Sequence, residues 1–183
     1  LACMLAAALQ LRLQPEAWKG TLTLACVVDE EYRFRGTLAL MQQLDPPDGA
    51  VVGEPTSLRV VRGCKGCLRF AIHARGRAAH SAHPERGRNA IVAMARAVLE
   101  LNQYFAERLS RIHHPAFGCS TGSIGLIEGG SGVNIVPEHC RIQVDIRLLP
   151  SQDANATYQE IQTTLRSRLA SIPDIEWGFD PPS

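Results

Sequence analysis

Apolar positions recur along the chain at different periods, and each period predicts a different kind of element. Leu1 to about Leu13 is nearly all apolar and predicts a buried helix. Thr21-Leu22-Thr23-Leu24-Ala25-Cys26-Val27-Val28 and Ala50-Val51-Val52-Gly53 are short continuous runs, the pattern of strands buried on both faces. Between them, Gly36 to Leu44 predicts a short helix, and Asp45-Pro46-Pro47-Asp48-Gly49 a turn. Strand, helix and strand within about thirty residues imply a right-handed crossover and a parallel sheet.

From Ser57 the pattern changes. Leu68, Phe70 and Ile72 alternate with Arg69, Ala71 and His73, which predicts a strand covered on one face only. Asn89 to Leu109 predicts an amphipathic helix with Ile91, Met94, Val98, Leu101, Phe105 and Leu109 as its stripe. Residues 120–128 predict a second strand, and Ile142, Val144 and Ile146 alternate in a third. Pro150 stops that strand, and Ser151 or Asp153 can cap a helix striped by Tyr158, Ile161, Leu165, Leu169 and Ile172. Ile175 to Phe179 predicts a last strand. The expected class is α/β: a partial parallel sheet, then a β-α-β-β-α-β, ferredoxin-like two-layer α+β unit.

Composition narrows the function classes. A net charge of +1 gives no electrostatic ground for nucleic acid or an acidic membrane as partner. Seventeen of the 19 basic residues are Arg, and they are scattered as on a solvated surface. No apolar run reaches the roughly 18–20 residues of a membrane span, and no basic residues precede Leu1 as in a secretory leader. The abrupt start without a cap, and the end on Asp180-Pro181-Pro182-Ser183, read as a segment cut from a longer protein. Of the six cysteines, only Cys64-Lys65-Gly66-Cys67 has a reactive spacing. It lacks a second metal-ligating pair and precedes a strand rather than a helix, so reduced thiols in a cytoplasmic protein are expected.

The chemistry gathers where apolar runs end, since open parallel sheets bind ligands beyond the carboxyl ends of their strands. The first run leads into Asp29-Glu30-Glu31 and the second into Glu54-Pro55-Thr56. Carboxylates brought together there repel one another unless a cation or proton is shared. Hard oxygen ligands suit zinc when His completes the set, whereas a helix cap or solvated loop is the bland alternative.

Five segments stand in one order: Val27-Val28-Asp29-Glu30-Glu31; Val52-Gly53-Glu54-Pro55-Thr56; Gly76-Arg77-Ala78-Ala79-His80-Ser81 with Pro84 and Gly87-Arg88-Asn89-Ala90; Gly129-Gly130 with Asn134-Ile135-Val136-Pro137; and Asp145-Ile146-Arg147. Together they resemble the zinc metallopeptidase and deacylase family of acetylornithine deacetylase, succinyl-diaminopimelate desuccinylase, aminoacylase and carboxypeptidase G. Glu54-Pro55-Thr56-Ser57-Leu58 and the His80-Ser81 segment favour the acetylornithine deacetylase branch.

The resemblance implies a catalytic-domain part over 1–56, a lid and dimerisation domain over 57–180, and a return to the catalytic domain at 181–183. It makes Glu30 the general base, Glu31 and Glu54 zinc ligands, and His80 the residue that polarises the substrate carbonyl from a partner subunit of a homodimer. Asn134 and Arg147 match residues that contact the carboxylate end of a small N-acyl amino acid. In the family's two-zinc site, a first His, a bridging Asp and a last His have no counterpart here. A non-catalytic dimerisation module, and a dipeptidase or carboxypeptidase of the same family, are the alternatives. No family role is implied for His73, His83 or His113-His114.

Overall fold

The computed structural model describes residues 1–31 and 33–182. The chain divides into two compact units, Leu1–Arg62 and Gly63–Ser183.

In the first unit, α1 spans Ala2–Arg12 and α2 spans Arg35–Met41, with a single 3-10 turn at Pro15–Ala17. Neither helix buries a residue. The two parallel strands expected at Thr21–Val28 and Ala50–Gly53 do not form: no strand lies in this unit among the described residues. Val51 and Val52 are 87% and 77% exposed, which is the physical reason. A run that is apolar on both faces becomes a strand only when neighbouring strands and covering helices are supplied.

The second unit contains β1 (Gly66–Arg75), β2 (Ala79–His80), α3 (Ala90–Glu107), β3 (His113–His114), β4 (Gly118–Cys119), β5 (Thr121–Gly129), β6 (Ile135–Val136), β7 (His139–Leu148), α4 (Ala154–Leu169) and β8 (Glu176–Phe179). The main sheet has the order β5-β7-β1-β8, antiparallel at every step. Two short ribbons, β2-β6 and β3-β4, accompany it.

Alternation decides which face of the sheet is covered. Leu68, Phe70 and Ile72 of β1 and Ile142, Val144 and Ile146 of β7 form one core with Met94 and Leu101 of α3 and Ile161 and Leu165 of α4. Both helices therefore cover the same face, and Phe70 meets Tyr158 edge-on at 5.2 Å. Burying each such Leu or Ile contributes about 1.5–3 kcal/mol.

The stripe on α3 differs from the expected one at its first turn. Ile91 is exposed, and Ala90, Ala93 and Ala97 are buried beside Met94 and Leu101. Small side chains let the helix approach the sheet closely, a role a search for large apolar residues overlooks. Asn89 caps α3 by accepting from the Val92 N–H at 3.0 Å, and Asp153 caps α4 by accepting from the Ala156 N–H at 2.8 Å.

Candidate functional site

The path from β1 to His80 is fixed by backbone contacts. The Gly76 N–H donates to the Glu138 carbonyl at 2.8 Å, and Arg77 and Arg88 exchange both backbone hydrogen bonds, at 3.0 and 2.8 Å. A Cβ on Gly76 would lie 2.0 Å from the Arg88 carbonyl oxygen, and one on Gly87 would lie 2.7 Å from Val136 Cγ1. Glycine at these two motif positions allows that close approach. Several motif residues are thus scaffolding: Asn89 is a cap, and the Pro137 carbonyl accepts from the Ala90 N–H at 2.8 Å.

His80 pairs with Ile135 on the β2-β6 ribbon, and the Ser81 N–H donates to the Asn134 carbonyl at 2.9 Å. His80 and Asn134 are therefore neighbours, and both are exposed. His80 Nδ1 accepts from the Ala82 N–H at 3.1 Å. In the neutral ring this places the proton on Nε2, leaving that edge a hydrogen-bond donor. Beside the ribbon lies a shallow depression of about 610 Å³, lined by Ser81, Asn89, Ile91, Gly130, Val133 and Pro137.

Arg147 does not join this pair. It lies opposite Cys67, whereas the ribbon leaves the other end of the sheet, where Arg75 faces His139. The eight residue steps from His139 to Arg147 span about 27 Å of strand. At the Arg147 end, Asp145 Oδ1 is 2.8 Å from Arg147 Nε, and Asp145 Oδ2 accepts from Arg69 Nε at 2.9 Å. Partial burial pushes the Asp145 carboxyl up, but the bond from Arg69 and the nearby positive charges outweigh it and hold the carboxyl below 3.8.

The acidic segment of the first unit is a turn. Asp29 adopts φ 60°, its carbonyl accepts from the Arg33 and Phe34 N–H groups at 3.3 and 2.8 Å, and its carboxylate binds Arg35 Nε at 2.6 Å. That bond from Arg35 holds the Asp29 carboxyl below its ordinary value. Glu30 and Glu31 sit in this turn, exposed, and Glu54 is exposed in a coil segment. Among the described residues, no three His, Cys, Asp or Glu side chains come together as a metal site. Glu31 and Glu54 thus fall short of the donor set zinc requires.

The remaining motifs resolve without chemistry of their own. The Cys67 thiol donates to Asp145 Oδ2 at 3.5 Å, and burial pushes its pKa up, so it is no reactive thiolate. All six cysteines are free. His114 sits in the β3-β4 hairpin with its ring 4.9 Å from Phe117, and His73 Nε2 lies 3.0 Å from Asp180 Oδ2. The pairings of Arg69 with Asp145 and of His73 with Asp180 were missed in the sequence. Alternation identifies the open face, but only strand register shows which charges oppose one another.

A four-stranded antiparallel sheet with two helices on one face, carrying its exposed polar groups on an edge ribbon and on the open face, defines a two-layer α/β module. This chain belongs to the M20 family through that module: residues 62–173 match the M20 peptidase dimerisation domain. It is 34% identical to the acetylornithine deacetylase of Pasteurella multocida over 86% of this chain and 41% of the relative. It is 32% identical to the acetylornithine deacetylase of Myxococcus xanthus over 94% of this chain and 46% of the relative. The chain thus spans under half the length of these curated relatives. The aminobenzoyl-glutamate utilization protein of Klebsiella pneumoniae shares the fold, with a TM-score of 0.50 and 24% identity over 66% of this chain and 29% of that one. No helix among the described residues is long and apolar enough to cross a membrane.

Proposed function

We propose that the whole protein containing this chain is a cytoplasmic, zinc-dependent amide hydrolase that removes the acyl group from an N-acyl amino acid, in the manner of the acetylornithine deacetylases it resembles. Residues 1–56 belong to its catalytic domain and 57–180 form a ferredoxin-like lid that dimerises, with 181–183 starting the return. Water adds to the amide carbon, the C–N bond breaks, and the free amine and a carboxylate leave. Glu30 is the base that takes the water proton and passes it to the departing amine. His80 donates Nε2–H to the carbonyl oxygen as charge develops there, and Asn134, from the copy that supplies His80, holds the substrate carboxylate together with Arg147. Glu31 and Glu54 would be zinc ligands, but two carboxylates do not fill a zinc site. This chain alone is expected to be inactive.

The hydrogen bond from the Ala82 N–H to His80 Nδ1 carries this reading, because it leaves an exposed imidazole with its donor edge available. Two further observations support a homodimer. His80 sits on the ribbon that leaves the Arg75–His139 end of the sheet, and Arg147 lies about 27 Å of strand from that end, so both serve one small substrate only if they come from different copies. The edge strand β5 also exposes Leu126 and Ile127, and α3, which contacts β5, exposes Val92 and Leu99, apolar groups suited to a second copy.

The test is hydrolysis of a panel of acetyl-, succinyl- and longer acyl-amino acids by the full-length protein. His80→Ala and Glu30→Ala should each lower turnover by about 10²-fold, and exchanged mixtures of the two should regain part of it, because a mixed dimer holds one intact composite site. Turnover with none of the panel would sink the activity. Inactive mixtures with proven heterodimers would sink action in trans. The second reading takes this chain as a non-catalytic dimerisation module and predicts weak zinc binding and no turnover by the isolated chain.

A further inference from the structure

The open face of the sheet carries one arrangement of which the proposed chemistry uses only Arg147. Arg69 and Asp145 are direct cross-strand partners of β1 and β7, and Cys67 and Arg147 are the next pair along on the same face. On β5, Ser123 stands opposite Asp145 and Thr121 opposite Arg147. Six side chains therefore form a lattice three strands wide. Asp145 sits at its middle and grips the Nε edge of both guanidinium groups, at 2.9 and 2.8 Å. Two cations against one carboxylate leave the trio with one net positive charge, and the flanking groups are two hydroxyls and the Cys67 thiol.

We propose that Asp145 is the positioning residue of a two-arginine anion site, in which Arg147 receives the substrate carboxylate and Arg69 supplies the second cation. The proposal rests on the carboxylate-binding role given to Arg147 above. A guanidinium binds a carboxylate best with two parallel hydrogen bonds, and a carboxylate fixed on its Nε edge holds the fork in one orientation before substrate arrives. Arg69 and Asp145 side chains are 25% and 27% exposed, whereas Arg147 is 48% exposed, so Arg147 is the member that meets a ligand and the other two form its base. Against partial burial, the bond from Arg69 and the charge of Arg147 also hold the Asp145 carboxyl below its ordinary value, so the clasp persists across the neutral range.

In the full-length enzyme, Asp145→Asn and Arg69→Gln should each raise KM for an N-acyl amino acid about five- to tenfold while kcat stays within about twofold, the signature of lost uniform binding. Asp145→Glu, which keeps the charge, should restore part of the affinity. An N-acyl amine lacking the carboxylate should show no difference between wild type and variants. Arg147→Ala separates the two claims. If it leaves KM unchanged, the carboxylate role of Arg147 fails and this proposal with it. If it raises KM but Asp145→Asn and Arg69→Gln do not, whether or not their melting temperatures fall, the network is a structural ion pair and only this proposal is overturned.

Discussion

Val51-Val52 in the first unit and Val144 in the second are the same residue type in strand-like sequence, yet they meet opposite fates. The former are 87% and 77% exposed, and the latter is 2% exposed. β7 is flanked by β5 and β1 and covered by α3, so its alternating residues have partners on one face and hydrogen bonds on both edges. The 50–53 segment has no strand neighbour among the described residues. A strand-like sequence states a requirement for neighbours and does not itself provide them. The two units differ in whether that requirement is met.

The largest effect that tests this contrast is a pair of truncations in the 183-residue chain. Leu101→Ala, at a fully buried position in the core, should cost about 3 kcal/mol or more. Val52→Ala should change stability by less than about 0.5 kcal/mol. Denaturant unfolding followed by circular dichroism measures both. Equal costs would show that the apolar residues of the first unit are packed in solution, and the contrast would be lost.

The same contrast explains what was legible in the sequence. The period-2 and period-3.6 segments of the second unit gave strands and helices close to those observed, because each pattern carries its own instruction about one buried face. The runs at 21–28 and 50–53 carry no such internal cue, since their partners are elsewhere. At the site, the exposed His80 and its neighbour Asn134 were readable as motif residues, but their separation from Arg147 was not. That distance depends on the register of Arg75 with His139 and Cys67 with Arg147, a property of paired strands that no single segment holds. The Arg69–Asp145–Arg147 lattice was hidden for the same reason.

A middle-sized effect sharpens the comparison at glycine. Gly76→Ala places a methyl group against the Arg88 carbonyl oxygen, which is backbone and cannot rotate away. The clash should cost about 2 kcal/mol and speed amide exchange at Arg77 and Arg88, whose reciprocal bonds hold the His80 ribbon. Gly49→Ala, with nothing within 4 Å of the added Cβ, should be neutral or stabilise by up to about 1 kcal/mol through the unfolded chain. If Gly76→Ala matched Gly49→Ala in melting temperature and exchange, the ribbon would not depend on that close approach.

The smallest effect compares two acidic side chains whose carboxyl groups both lie below the ordinary 3.8, Asp29 in the first unit and Asp145 in the second. A carboxyl depressed in the folded state adds stability above its unfolded value, near pH 4, and that contribution is lost as pH falls through the lower folded value. The sign is therefore the same for both, and the window is the acid side of pH 4. Their reach differs. Asp145 joins two central strands, so its protonation releases Arg69 and Arg147 from a cooperative sheet, whereas Asp29 grips Arg35 six residues away within a loosely packed turn. Asp145→Asn should lower the melting temperature at pH 7 by about 2–4 °C, the scale of a solvent-screened pair, and should flatten the decline between pH 4 and pH 2. Asp29→Asn should leave both features of the main transition unchanged. Melting curves of the three proteins from pH 7 to pH 2 decide it. An undiminished acid slope in Asp145→Asn would mean that the clasp does not couple its strands, and a flattened slope in Asp29→Asn would mean that the turn of the first unit unfolds together with the sheet.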